Sequence, residues 1–151
     1  MIYPAVARGW AVAFLVVGLA FWLLPEQLAG FLTALARALG LGGAITGNIA
    51  DSGLWYVLAI SLMFTLTALA WTSGNNPEVT AYFRLLLVAK GASIVGFSYL
   101  GYLTGHTVWL LGVLSDGSVA LTLWLAHKLD ERLPATALGM VPGFDRVYGG
   151  Q

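Results

Sequence analysis

Two ionisable side chains stand where a strongly apolar stretch would normally carry none: Lys90, in VAKGASIVG, and Asp116, in GVLSDGSVA. An isolated Asp or Lys at the centre of a spanning helix costs roughly 2.5 to 3.5 kcal/mol on insertion scales, so each should face a protein interior and find a partner. Counted from the Gly105-His106 link, Lys90 lies about 15 residues back and Asp116 about 11 forward, which at helical rise separates their backbones by about 6 Å in height. A lysine stem covers that. The spacing therefore allows an intramembrane ion pair, with Ser93, Ser115 and Ser118 as hydrogen-bonding neighbours around a polar spot near midplane. Snorkelling of Lys90 toward the interface beside Arg84 is an equal competitor. Asp116 has no such escape, because its short side chain reaches neither interface. It could relay protons or bind a polar headgroup, or simply clamp two helices together.

Other chemistry is sparse. Cysteine is absent, so disulfides, thiolate metal sites and cysteine nucleophiles are excluded. His106 and His127 fall at opposite ends of one predicted span, about 30 Å apart, and cannot share a haem; each is expected to be solvated. No phosphate loop, nucleophile elbow or zinc-binding helix is present, so no catalytic residue and no metal site is assigned, and the chain is expected not to be an enzyme. Seven basic and seven acidic residues give zero net charge, which leaves no basic face for nucleic acid. No cofactor is expected beyond bound lipid or quinone.

The elements that must position Lys90 and Asp116 follow from composition. The 151-residue chain is 59% hydrophobic and only 9% charged, with a mean hydropathy of +0.84. A water-soluble domain carries roughly a quarter charged residues, so lipid must replace the missing polar coat. Apolar runs at about residues 5–24, 52–71, 77–103 and 107–129 each suit a hydrocarbon slab roughly 30 Å thick. Pro4 opens the first and Pro25 closes it, Asp51 precedes the second as a cap, and Asn76-Pro77-Glu78 reads as the start of the third. The short Gly105-His106 link makes the last two an antiparallel hairpin. The expected fold is all-α, an integral membrane four-helix transmembrane bundle over residues 1–133 with a cytoplasmic tail at 134–151.

Indole rings collect at headgroup level, and Trp10, Trp22, Trp55, Trp71, Trp109 and Trp124 all fall near predicted span ends. Arg84 is expected to join them as an interfacial anchor. Between the first two spans, Leu28, Phe31, Leu32, Leu35 and Leu39 recur at helical spacing, which predicts an interfacial helix over about residues 26–39 or, equally, a lid over the bundle mouth. The glycine-rich stretch 41–48 returns the chain as a loop. Small residues at Ala92 and Gly96, Gly101 and Gly105, and Gly112 before Asp116 are assigned first to packing within the bundle. Arg8, Arg84, Lys128, Arg132 and Arg146 share one side of this topology and Arg37 lies on the other, so both termini are expected to be cytoplasmic. A cleavable signal ending at Ala34-Leu35-Ala36 is a weaker reading, because that site falls about ten residues beyond the apolar run.

A first span ending in GLAFWLLP (18–25), a cation in VAKGASIVG and an acid in GVLSDGSVA together resemble the DoxX-like group of small bacterial four-helix membrane proteins over about residues 8–128. The resemblance implies a four-helix bundle of the bacterial inner membrane, with some relatives serving as membrane subunits of quinone-linked oxidoreductases. It transfers no catalytic residue, and the amphipathic insert and the tail depart from its compact pattern. The leading expectation is a non-catalytic accessory subunit that anchors a larger respiratory or photosynthetic membrane complex, with lipids and other integral membrane subunits as partners. The alternative is a small carrier or a lipid- or quinone-binding protein that uses Lys90 and Asp116.

Overall fold

The structure, a computed structural model, describes residues 2–42 and 53–132, and their side chains save those of 53–56. The expected tail, Arg146, the Trp55 side chain and most of the 41–48 return lie outside the described residues. Among the described residues five helices are formed: α1 (Tyr3–Leu23), α2 (Pro25–Ala38), α3 (Gly53–Asn75), α4 (Thr80–Thr104) and α5 (Leu110–Arg132), the last entered through a 3-10 turn, Thr107–Trp109. The described residues contain four helical segments long and apolar enough to cross a bilayer, Tyr3–Leu23, Val57–Asn75, Thr80–Thr104 and Thr107–Arg132. The chain is an all-α, multi-pass membrane protein built as a four-helix bundle.

Each span buries one stripe at three- and four-residue spacing: Tyr3, Ala7, Ala11, Phe14 and Gly18 on α1, and Asp116, Val119, Leu123 and Ala126 on α5. Small residues on these stripes let backbones approach. The antiparallel pairs α1–α3 and α4–α5 are the most intimate. In the first, a Cβ on Gly18 would sit 3.0 Å from Met63 and one on Gly74 3.0 Å from the Pro4 carbonyl. The two pairs then meet through Leu66 and Ala70 of α3, Phe83 and Leu86 of α4, and the α5 stripe. This core lies toward the end of the bundle that holds Tyr3, Asn75, Thr80 and Arg132. Toward the opposite, hairpin end the last fully buried layer common to α1, α4 and α5 is Phe14, Lys90 and Asp116; residues 91–107 include no buried position.

The third span begins at Thr80, not at Pro77, and Asn76 does not cap it. Asn76 instead donates its side-chain amide to the Thr72 carbonyl, closing the end of α3 (2.9 Å), while the Val79 N–H donates to the Asn76 carbonyl across Pro77-Glu78 (3.1 Å). Proline at the second position of a four-residue turn presets its φ, so the same signal serves a reverse turn as readily as a helix start. The N-terminus of α1 is capped from a distance: Asp130 Oδ1 accepts from the Ile2 N–H (2.7 Å) and Oδ2 from the Tyr3 N–H (2.9 Å). A carboxylate there satisfies two orphan donors and complements the positive helix end. Replacing Asp130 by Ala is expected to cost about 1 kcal/mol and to speed hydrogen exchange at the Tyr3 amide, measured by mass spectrometry in detergent.

Helix α2 follows Leu24 directly and packs on α1. Ala36 is buried and Leu32 half-buried, whereas Phe31, Leu35 and Leu39 of the same apolar arc are exposed. One arc thus serves both the bundle and the surroundings, an arrangement suited to a helix lying at a bilayer surface. Its exit is fastened to the hairpin: the Gly42 N–H donates to Thr107 Oγ1 (2.7 Å) and the Val108 N–H to the Gly42 carbonyl (3.0 Å).

Candidate functional site

Lys90 follows Leu86 by one turn and Asp116 precedes Val119 by three residues, so each ionisable side chain occupies a position of its helix's buried stripe. Lys90 Nζ donates to Asp116 Oδ1 at 2.6 Å. The residues are 3% and 8% exposed, so the contact sits in protein rather than at an interface, and Lys90 does not snorkel. Phe14 of α1 completes the arrangement, its ring centroid 4.5 Å from the ammonium. An aromatic face attracts a desolvated cation, so the site joins three helices, two through opposite charges and one through a ring.

Ser93, Ser115 and Ser118 do not join this pair. Ser118 Oγ donates to the Ser115 carbonyl of its own helix (2.7 Å), and Ser115 and Ser118 are exposed. At about 100° per residue they lie about 100° and 200° around α5 from Asp116, so closeness in sequence placed them on other faces. Ser93, half-buried, makes no described hydrogen bond to the pair. Among the described residues no buried side-chain nitrogen or oxygen lacks a partner. Chemically, the arrangement neutralises two charges against each other and holds α4 to α5. Nor do the described residues contain a cluster of three or more His, Asp and Glu side chains able to hold a metal ion.

A second polar cluster, not foreseen in the sequence, closes the Tyr3/Arg132 end. The Tyr3 and Ser73 hydroxyls hydrogen-bond while buried between α1 and α3. His127 is not merely solvated: its ring stacks on Phe83 (centroids 4.2 Å apart, 29° between planes), meets Tyr3 edge-on at 5.5 Å, and places Nε2 3.3 Å from Glu131 Oε1. Arg8 Nε donates to Asn75 Oδ1 at 3.0 Å. The expected tryptophan anchors divide. Trp22, Trp71 and Trp124 are exposed, as is Arg84. Trp10, two turns inside α1, instead donates its indole N–H to Thr122 Oγ1 on α5 (2.9 Å), and Trp109 donates to Thr104 Oγ1 (2.9 Å). For these two, hydrogen-bond partners within the bundle fix the indole that a headgroup region would otherwise hydrate.

Gly112 does serve helix packing, a Cβ there falling 2.5 Å from the Phe97 ring, whereas a Cβ on Gly101 would meet only ordinary contact, 3.7 Å from Trp109. Ala92 and Gly96 do not serve it: both are exposed, and a Cβ on Gly96 would meet nothing within 4 Å. Comparison with protein-family models, with curated proteins and with solved structures finds no match to this chain.

Proposed function

We propose that the protein is a non-catalytic accessory subunit that anchors or stabilises a larger assembly, respiratory or photosynthetic, in a bacterial inner membrane. The supporting observation is the outward ridge of α4. Arg84, Val88, Ala92 and Gly96 follow one another at four-residue spacing, all exposed, and none is used to close the bundle. Small residues on such a ridge let another spanning helix approach closely, and Arg84, which makes no described ion pair, suits an acid on that helix. The likeness to DoxX-like proteins in the two charged motifs agrees with this reading. Arg8, Arg84, Lys128 and Arg132 gather at one end of the bundle and Arg37 at the other, a bias that supports the reading of both termini as cytoplasmic. Mild extraction from the native membrane, followed by sizing, should give a complex well above 16.0 kDa that Gly96→Leu disperses. A homogeneous lone chain, in both wild type and variant, would reject the subunit reading.

One observation favours a second reading, a lipid or quinone ligand at Lys90 and Asp116: the last buried layer common to α1, α4 and α5 lies there, and residues 91–107 beyond it include no buried position. The Lys90→Met, Asp116→Leu double variant, which should retain the fold, would then lose ligand binding in reconstituted vesicles. Unaltered binding rejects this reading.

A further inference from the structure

The hairpin end holds a cavity of about 260 Å³ between the last turns of α4 and the start of α5. Its walls are chiefly aromatic, with Phe97 and Trp109 nearly parallel to each other (22°, centroids 6.3 Å apart) and Tyr102 at the mouth. Gly101 and Gly105 keep the floor low, and Gly105 holds a left-handed φ of 67° that ends α4. No Asp, Glu, Lys or Arg lines the cavity. That removes the cation a phosphate headgroup requires, and aromatic faces of this kind hold a flat, neutral body by stacking.

The polar atoms at the rim say which edge such a body would carry. Thr107 Oγ1 is engaged with Gly42 on both sides, donating to its carbonyl and accepting from its N–H. The Trp109 N–H is held by Thr104, and the Ser98 hydroxyl donates to Ile94. The His106 ring, exposed, has no described partner. Beyond the Gly105 N–H to Gly101 bond, the carbonyl of Tyr102 accepts no described backbone hydrogen bond, and a helix C-terminus carries negative partial charge. The Tyr102 carbonyl therefore stands open to a hydroxyl donor at this rim. The ends of two spans, flanked by exposed Tyr99 and Tyr102, place it at headgroup depth.

We propose that this cavity is a binding site for a neutral, bilayer-partitioned ring compound bearing a hydroxyl group, the ring against Phe97 and Trp109 and the hydroxyl donating toward the rim near His106. The site lies beside the outward ridge of α4 and stands independently of the subunit reading. The volume suits one ring with a short substituent, somewhat below the usual range for drug-sized ligands.

The test uses the full chain in lipid nanodiscs and the probe 2-bromo-4-hexylphenol, whose bromine quenches tryptophan only on contact. Quenching is expected to saturate and to remove the share of emission contributed by one of the six tryptophans, and Trp109→Phe should abolish the saturable component. Gly101→Leu fills the cavity from a helical position where a Cβ meets only ordinary contacts; it should remove saturation while leaving the circular-dichroism melting curve in place. The methyl ether of the probe, lacking the donor, should bind about fivefold more weakly, the factor of one hydrogen bond. Quenching that rises linearly with probe, as simple partitioning does, or that persists unchanged in both variants, overturns the site. Equal binding of phenol and ether overturns the hydroxyl assignment.

Discussion

Replacing Asp116 by Ala should destabilise the bundle by about 3 to 5 kcal/mol, because it leaves the Lys90 ammonium buried with only the Phe14 ring for company. The double variant Lys90→Met, Asp116→Leu should recover most of that loss, since an apolar pair of similar volume avoids the desolvation penalty of both ions. The contrast separates a structural clamp from simple loss of volume: two changes at one site should do less damage than one. Unfolding by SDS titration, followed by circular dichroism, measures both. A double variant as unstable as Asp116→Ala would mean that the charges are not each other's partners.

The second large effect concerns the approach of α4 to α5. Gly→Ala in an exposed helix position ordinarily gains up to about 1 kcal/mol. At Gly112 the added methyl would fall 2.5 Å from the Phe97 ring, close to its point of attachment, so the ring cannot simply swing its far edge away. Gly112→Ala is therefore expected to cost about 1 to 3 kcal/mol through overpacking, while Gly117→Ala on the same helix, where a Cβ meets nothing within 4 Å, should be neutral or stabilising. Phe97→Leu in the Gly112→Ala background should restore part of the loss. Equal effects at Gly112 and Gly117 in the same titration would contradict the packing described between the two hairpin helices.

What could be read directly from the residues was what depends on length and mean polarity. The apolar runs gave the spans to within a few residues, and height counting from Gly105-His106 brought Lys90 and Asp116 within reach of each other. Which way a residue faces was harder to read. Ser115 and Ser118 are near Asp116 in sequence and on other faces in space, and Ala92 and Gly96 carry a packing signal that the bundle leaves unused. Asn76-Pro77-Glu78 satisfies the chemistry of both a helix start and a reverse turn, and only the neighbouring Thr72 carbonyl decides between them. Contacts between distant elements leave no local pattern at all: Asp130 capping α1, Tyr3 meeting Ser73, and His127 resting on Phe83 each join residues more than forty positions apart.

The central claim is that the polypeptide crosses the bilayer four times with Lys90 and Asp116 between its faces, and the absence of native cysteine allows a direct test. Single cysteines at the exposed positions Glu78, Arg132, Glu26 and His106 can be probed with a membrane-impermeant maleimide in sealed, oriented vesicles. The fold predicts that Glu78→Cys and Arg132→Cys react from one side, and Glu26→Cys and His106→Cys only from the other. Labelling of Glu78→Cys and His106→Cys from the same side would mean that α4 does not span, and Lys90 would then have no membrane to be buried in.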